Sequence, residues 1–251
     1  MSRTPLIAGN WKMHCTIWEA VSLARQVADS ATGLTDREVM IAPPATALAA
    51  VSEAVQGSGV LVAGQNVAWK EAGAYTGEIS PVMLKDAGAS MAIIGHSERR
   101  HIFGEDDAMI NQRIHGALAG GLVPILCVGE TLDEREEGRT WQVLEKQVVS
   151  GIEGVDRQGM GKMVIAYEPV WAIGTGKTAS REQAQEAHLF IRDLLAKLSE
   201  KNLAEQIRIL YGGSVKPGNV DDLMQMPDVD GALVGGAALQ ADSFDRIIHF
   251  R

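Results

Sequence analysis

Residues 106–128 read DDAMINQRIHGALAGGLVPILCV, and their order decides the architecture. In the first half, Ile110, Ile114, Ala117 and Leu118 recur at spacings of three and four, which predicts a helix over 106–119. Gly120-Gly121 then ends it as a C-cap does. The run 122–128 follows with no polar alternation, the mark of a strand buried on both faces of a parallel sheet. Helix, glycine stop, buried strand: the rest of the chain repeats this unit.

Short apolar runs occur at 6–9, 39–42, 60–63, 91–94, 122–128, 163–167, 207–211 and 232–234. Helix-period segments lie between them. Over 180–200 the apolar positions are Ala184, Ala187, Ile191, Leu194, Leu195 and Leu198, and Ser180 with Gln183 forms a capping box at the start. Pro217 is expected in the first turn of a helix that carries Val220 and Leu223. Strand and helix alternating eight times in 251 residues predict an α/β chain folded as a closed (β/α)₈ barrel. No change of composition marks a linker, so 1–251 is expected to form one catalytic domain.

Composition narrows the partners. A net charge of −9 and a pI of about 5.2 speak against a basic face for nucleic acid or adhesion to anionic membranes. An anionic substrate would need a local positive site. Cys15 and Cys127 are too few for a disulfide framework, and the apolar start is too short for a signal-peptide core. No run approaches the length of a membrane span. A soluble cytoplasmic protein is expected.

Barrel enzymes place their chemistry on the loops after the strands. Here Asn10-Trp11-Lys12 follows the first strand, Gly95-His96-Ser97-Glu98-Arg99-Arg100 the fourth, and Glu168-Pro169 the sixth. Gly212-Gly213-Ser214 and Gly235-Gly236 follow the seventh and eighth. Singly, each has an ordinary explanation: a solvated lysine, a structural histidine, the polar end of a strand, turn glycines. Five loops converging on one rim make coincidence a poor account. A lysine, a histidine and a glutamate in a glycine-floored pocket are the parts needed to move a proton on a small phosphorylated carbonyl compound.

Gly174-Thr175-Gly176-Lys177-Thr178 invites a nucleotide-binding reading. A P-loop requires glycine five positions before Gly176, where Trp171 stands, so that reading fails.

At these residues the chain resembles the triosephosphate isomerase family. The stretch from Ala166 to Gly176 is similar to the family signature almost letter for letter. Asn10-Trp11-Lys12-Met13, Gly95–Arg100, Cys127-Val128-Gly129-Glu130 and Tyr211-Gly212-Gly213-Ser214-Val215 resemble family motifs, in the family's order, across essentially the whole chain. His14 departs from the family's usual asparagine.

The resemblance implies reversible conversion of dihydroxyacetone phosphate to D-glyceraldehyde 3-phosphate through an enediolate, in glycolysis and gluconeogenesis, with no cofactor and no metal. It implies Glu168 as the base, His96 as hydrogen-bond donor to the oxyanion and proton shuttle, and Lys12 as fixed positive charge. Asn10 would position Lys12 and the substrate, and Glu98 would partner Lys12. Backbone N–H groups near Gly174, Ser214, Gly235 and Gly236 would hold the phosphate. Residues 169–178 would form a lid that excludes water. The loop 65–80 would project into a second subunit, with Thr76 near the partner's Asn10–Lys12 region and Cys15 at the interface.

Two rival readings are weaker. An aldolase or larger sugar-phosphate isomerase would want a Schiff-base lysine in a middle strand or a metal cluster, and neither is found. A non-catalytic relative would be signalled by loss of Glu168, His96 or Lys12, and all are present.

Overall fold

A computed structural model of the chain describes residues 3–173 and 178–251. Eight parallel strands close on themselves in chain order: β1 (Leu6–Asn10), β2 (Glu38–Ala42), β3 (Leu61–Gly64), β4 (Met91–Ile94), β5 (Val123–Val128), β6 (Val164–Tyr167), β7 (Arg208–Tyr211) and β8 (Gly231–Val234). Leu6 is in register with Glu38 on one side and Gly231 on the other, which seals the barrel. The expected (β/α)₈ architecture is the observed one, and the brief runs near Val39 and Ala232 are full members of the sheet.

The lack of polar alternation has a direct cause. Within β1, Leu6 and Ala8 point into the barrel interior with Met40, Met91, Ile93, Ile125 and Leu233. Ile7 faces outward, where it packs with Val39, Ile41 and the helical shell. Both faces of each strand are therefore away from water, and a polar residue on either would lose its hydration.

The helices follow their local signals. Asp107–Ala119 is capped by Asp106, whose carboxylate accepts from the Met109 N–H at 2.8 Å. At its other end Gly121 adopts φ +73°, a conformation costly for residues with a Cβ. Its N–H bonds the Leu118 carbonyl, and the Leu122 N–H bonds that of Ala117. Arg181–Leu198 opens with the expected Ser180–Gln183 capping box. Pro217 corrects an expectation. It sits in the turn before the helix Val220–Met224 rather than in its first helical turn, because Asn219 is the N-cap.

The connection between β3 and the helix Pro81–Asp86 is long and irregular. Its base is clamped by buried Arg113, whose guanidinium donates to the Val67 carbonyl at 2.5 Å and to Glu78 at 2.7 Å. Residues 71–77 at its tip are exposed.

Candidate active site

The C-terminal ends of the strands surround a pocket of about 270 Å³ that Asn10, Lys12, His96 and Glu168 line together with Ser214, Gly235 and Gly236. A larger, more open groove of about 840 Å³ lies on the outer helices around Asp107–Ala119 and Thr140–Ile152. Its charged walls include Arg100 and Lys146, both ion-paired to Asp107, and none of the expected catalytic groups reaches it. The expected catalytic groups share the smaller pocket.

Asn10, the last residue of β1, accepts from the Lys12 N–H at 3.0 Å through Oδ1. Lys12 has φ +52°, which costs a non-glycine residue on the order of 1 kcal/mol or more. Gln65 offsets this by donating to the Lys12 carbonyl at 2.8 Å and to that of Ala42 at 2.9 Å. Both backbone polar groups of Lys12 are thus held by side chains from β1 and from the loop after β3. Its ammonium meets Glu98 Oε1 at 2.7 Å.

His96 is the N-cap of the short helix Ser97–His101. Its Nδ1 accepts from the Glu98 N–H at 3.2 Å, which places the imidazole hydrogen of a neutral ring on Nε2. That Nε2 lies 3.0 Å from Glu168 Oε1. Ser97 completes the contact: its N–H donates to Glu168 Oε2 at 2.8 Å. Both oxygens of the glutamate are occupied.

Glu168, only 2% exposed, follows β6, and its own N–H bonds the Val128 carbonyl at 2.8 Å. Its side chain fits because of an absence. A Cβ on Gly212 would come within 2.8 Å of Glu168 Cγ, and one on Gly129 within 1.7 Å of the Glu168 carbonyl oxygen. Burial alone would raise the pKa of Glu168; His96, the Ser97 N–H and Lys12 outweigh it and hold the group below the usual carboxylate range. Burial alone would lower that of His96, and the adjacent Glu168 carboxylate outweighs it and pushes the imidazole up. Both directions belong to the pair in contact. Once the carboxylate moves away, burial and Lys12 both favour neutral imidazole.

Ser214, Gly235 and Gly236 also line the pocket, and a Cβ on Gly235 would come within 3.4 Å of Lys12 Cε. Among the described residues, its chain neighbours aside, no heavy atom lies within 4 Å of where a Gly236 Cβ would be, so they leave the space beside its backbone open. Gly174, also expected here, lies outside the described residues. The chain leaving β6 is tied down at its start: the Trp171 indole donates to Glu130 Oε1 at 2.9 Å, and the Tyr167 hydroxyl donates to the same carboxylate.

Every expected site residue within the described part of the chain therefore reaches one pocket. Sequence reasoning named Ser97 and Gly212 within their motifs but missed the Ser97 amide as a partner of Glu168, the support from Gln65 and the room that Gly212 leaves. Ser97 lies within the Gly95–Arg100 motif but acts through its backbone amide, which the residue type does not announce, and Gln65 acts from a distant loop.

The family model for triosephosphate isomerase matches residues 5–251. The triosephosphate isomerase of Syntrophotalea carbinolica is 53% identical over 249 residues, covering 99% of both chains. That of Citrifermentans bemidjiense is 53% identical over 248 residues, again 99% of both. That of Rhodopirellula baltica is 52% identical over 248 residues, 99% of this chain and 98% of its own.

Proposed function

Because the chain belongs to the triosephosphate isomerase family, we propose that Glu168, His96 and Lys12 perform the family's reaction in the pocket at the C-terminal end of the barrel. The protein is an isomerase that interconverts dihydroxyacetone phosphate and D-glyceraldehyde 3-phosphate, a step of glycolysis. The assignment of roles rests on one observation above all: a buried carboxylate, a neutral-capable imidazole and an anchored ammonium face the same small cavity.

Glu168 takes a proton from the carbon beside the substrate carbonyl, leaving an enediolate, and returns it to the neighbouring carbon. It must first leave the Ser97 N–H and His96 Nε2, since both of its oxygens are engaged there. That departure frees Nε2–H of His96 to donate to the carbonyl oxygen as negative charge builds on it, and to pass protons between the two substrate oxygens. A donor fixed in advance by its Nδ1 bond costs no reorganisation when the charge develops. Lys12 adds positive charge whose position Asn10, Gln65 and Glu98 hold in place.

The phosphate lies against the backbone N–H groups of Ser214, Gly235 and Gly236; Gly174, expected as a fourth contributor, is outside the described residues. Glycine leaves room for close approach, as the open space at Gly236 illustrates. The lid expected over 169–178, whose role is to keep water from an enediolate that would otherwise lose phosphate, falls in part on residues 174–177, which lie outside the described residues.

The functional unit is a homodimer of single-domain subunits. Met13 is 92% exposed and Trp18 85%, and Tyr75, Ile102 and Phe103 are exposed as well. Large apolar side chains in that number favour a protein surface over water. Met13 lies on the loop after β1 and Trp18 in the first turn of the helix Ile17–Ala31, Tyr75 on the proposed 65–80 arm, and Ile102 and Phe103 at the end of the short helix after β4. Thr76 of that arm reaches the partner's Asn10–Lys12 region, and Cys15 lies within the interface. The cytoplasm is the proposed compartment: Cys15 and Cys127 are both unpaired, and no helix among the described residues is long and apolar enough to cross a membrane.

The test is turnover of D-glyceraldehyde 3-phosphate by purified protein, coupled to NADH oxidation, with and without chelator. Fast conversion that survives chelator supports the reading. A folded dimer with no conversion would leave a phosphate-ligand binding protein instead.

A further inference from the structure

The rim of the pocket carries a lysine that the mechanism leaves idle. Lys216 lines the cavity along with Ser214 and Val215, on the segment that follows β7. One side chain brackets this segment: Asn219 Oδ1 accepts from the Lys216 N–H at 2.7 Å, and Asn219 Nδ2 donates to the Ser214 carbonyl at 2.9 Å. Buried Val215 anchors it between those two bonds. The backbone of Lys216 is held to the rim, beside a proposed phosphate contact.

The charges of the pocket show what this lysine contributes. Lys12 is neutralised by Glu98 at 2.7 Å. Glu168 is an anion and His96, once released from it, is neutral. Without Lys216 the cavity would present a triose phosphate, itself close to a dianion, with a net charge near −1, inside a chain of net charge −9. Among the described residues Lys216 has no ion-pair partner. The nearby acidic groups are committed elsewhere, Asp221 to Arg246 and Asp222 to Arg181 at 3.8 Å. Among the described residues that line the pocket, Lys216 is the cation without a paired carboxylate.

We infer that Lys216 is a specificity-determining residue: it supplies the attraction that draws phosphorylated substrates to the Ser214–Gly236 wall and favours them over unphosphorylated analogues. The inference rests on the reading of the pocket as a triose phosphate site. It divides labour between two lysines, with Lys12 locked into the catalytic network and Lys216 free to meet an arriving anion. An exposed rim charge acts on encounter and binding more than on the chemical step, and salt screens it over a Debye length of about 8 Å at physiological ionic strength.

The experiment compares wild type with Lys216→Gln and Lys216→Arg. It reads kcat and KM for D-glyceraldehyde 3-phosphate at low and high ionic strength, and kcat/KM for unphosphorylated D-glyceraldehyde. Inorganic phosphate binding is measured separately by titration calorimetry, without turnover. Lys216→Gln is expected to raise KM and the phosphate Kd by about 3- to 10-fold at low salt, with kcat nearly unchanged. The difference should shrink at high salt and vanish for D-glyceraldehyde, and Lys216→Arg should restore wild-type values. Unchanged KM and phosphate affinity in Lys216→Gln at low salt overturns the inference. So does an equal loss on the unphosphorylated substrate, which would mark a structural role. If wild type itself turns nothing over, the reading of the reaction fails, and the phosphate titration still decides the role of Lys216.

Discussion

Nε2 of His96 and Oε1 of Glu168 lie 3.0 Å apart in a pocket where both side chains are buried. The contact occupies the two groups that the reaction must separate, so it is a resting arrangement. Replacing Glu168 with Gln removes the base and the negative charge together. We expect kcat to fall by about 10³- to 10⁴-fold while phosphate affinity stays within a few-fold of wild type. The same variant should lower the pKa of His96, because the carboxylate that pushes it up is gone and burial remains. Nitrogen-15 NMR titration of the imidazole reads this directly. Near-full turnover would remove Glu168 from the base role.

Gly212 tests whether space governs the position of that carboxylate. An added Cβ would meet Glu168 Cγ at 2.8 Å and the Tyr167 carbonyl at 3.1 Å. The backbone contact cannot yield cheaply, so Glu168 must shift and lose part of its hold on Ser97 and His96. Gly212→Ala should therefore cut kcat by roughly 100-fold, the scale of a misplacement near 1 Å, with little change in phosphate affinity. A variant with wild-type kcat would show that the side chain finds its place without the vacant volume.

How much of this was legible beforehand follows from what each feature writes into the chain. Strands buried on both faces leave unbroken apolar runs, so Val123–Val128 and even Gly231–Val234 announce themselves. His96, Glu168 and Lys12 stand at strand ends, and the barrel brings strand ends together. The Ser97 amide leaves no trace, because any residue but proline offers an N–H. Gln65 acts from the loop after β3, and only the folded chain shows that it spans to Lys12 and Ala42. Pro217 misled because proline suits both a first helical turn and the turn before it; Asn219, as the cap, decided between them.

The proposed homodimer makes a prediction about Thr76, exposed at the tip of the 65–80 segment. Thr76→Arg would place a bulky cation where the partner's Lys12 region is proposed to sit. Sedimentation at micromolar concentration should then show a monomer, and activity should fall by about 100-fold through loss of order around Lys12. Heat-induced exposure should also come earlier, since Met13, Trp18 and Phe103 would stay in water. A fully active monomer would detach catalysis from assembly.

His188, which does not line the pocket, makes the last prediction, one about acid stability. It is fully buried in the helix Arg181–Leu198, with Nδ1 3.0 Å from the Asp228 carbonyl and its ring edge-on to Tyr167 at 5.9 Å. Burial, aided by the Arg192 guanidinium, depresses its pKa from 6.5 to about 4. A depressed histidine pKa means that the unfolded chain takes up a proton before the folded one does. Stability should therefore be unaffected above pH 6.5, decline as pH falls from there to about 4, and level off below. The full loss over that window is on the order of 3 kcal/mol. His188→Gln keeps a donor for Asp228 but cannot titrate. It should begin less stable at neutral pH, because Gln fills the site less well, and the gap to wild type should narrow steadily as acid is added. Urea unfolding of both proteins across the window measures that gap. A gap of constant size from neutral pH down to 4 would show that His188 carries its proton equally in both states, and the acid sensitivity of the fold would then lie with its carboxylates.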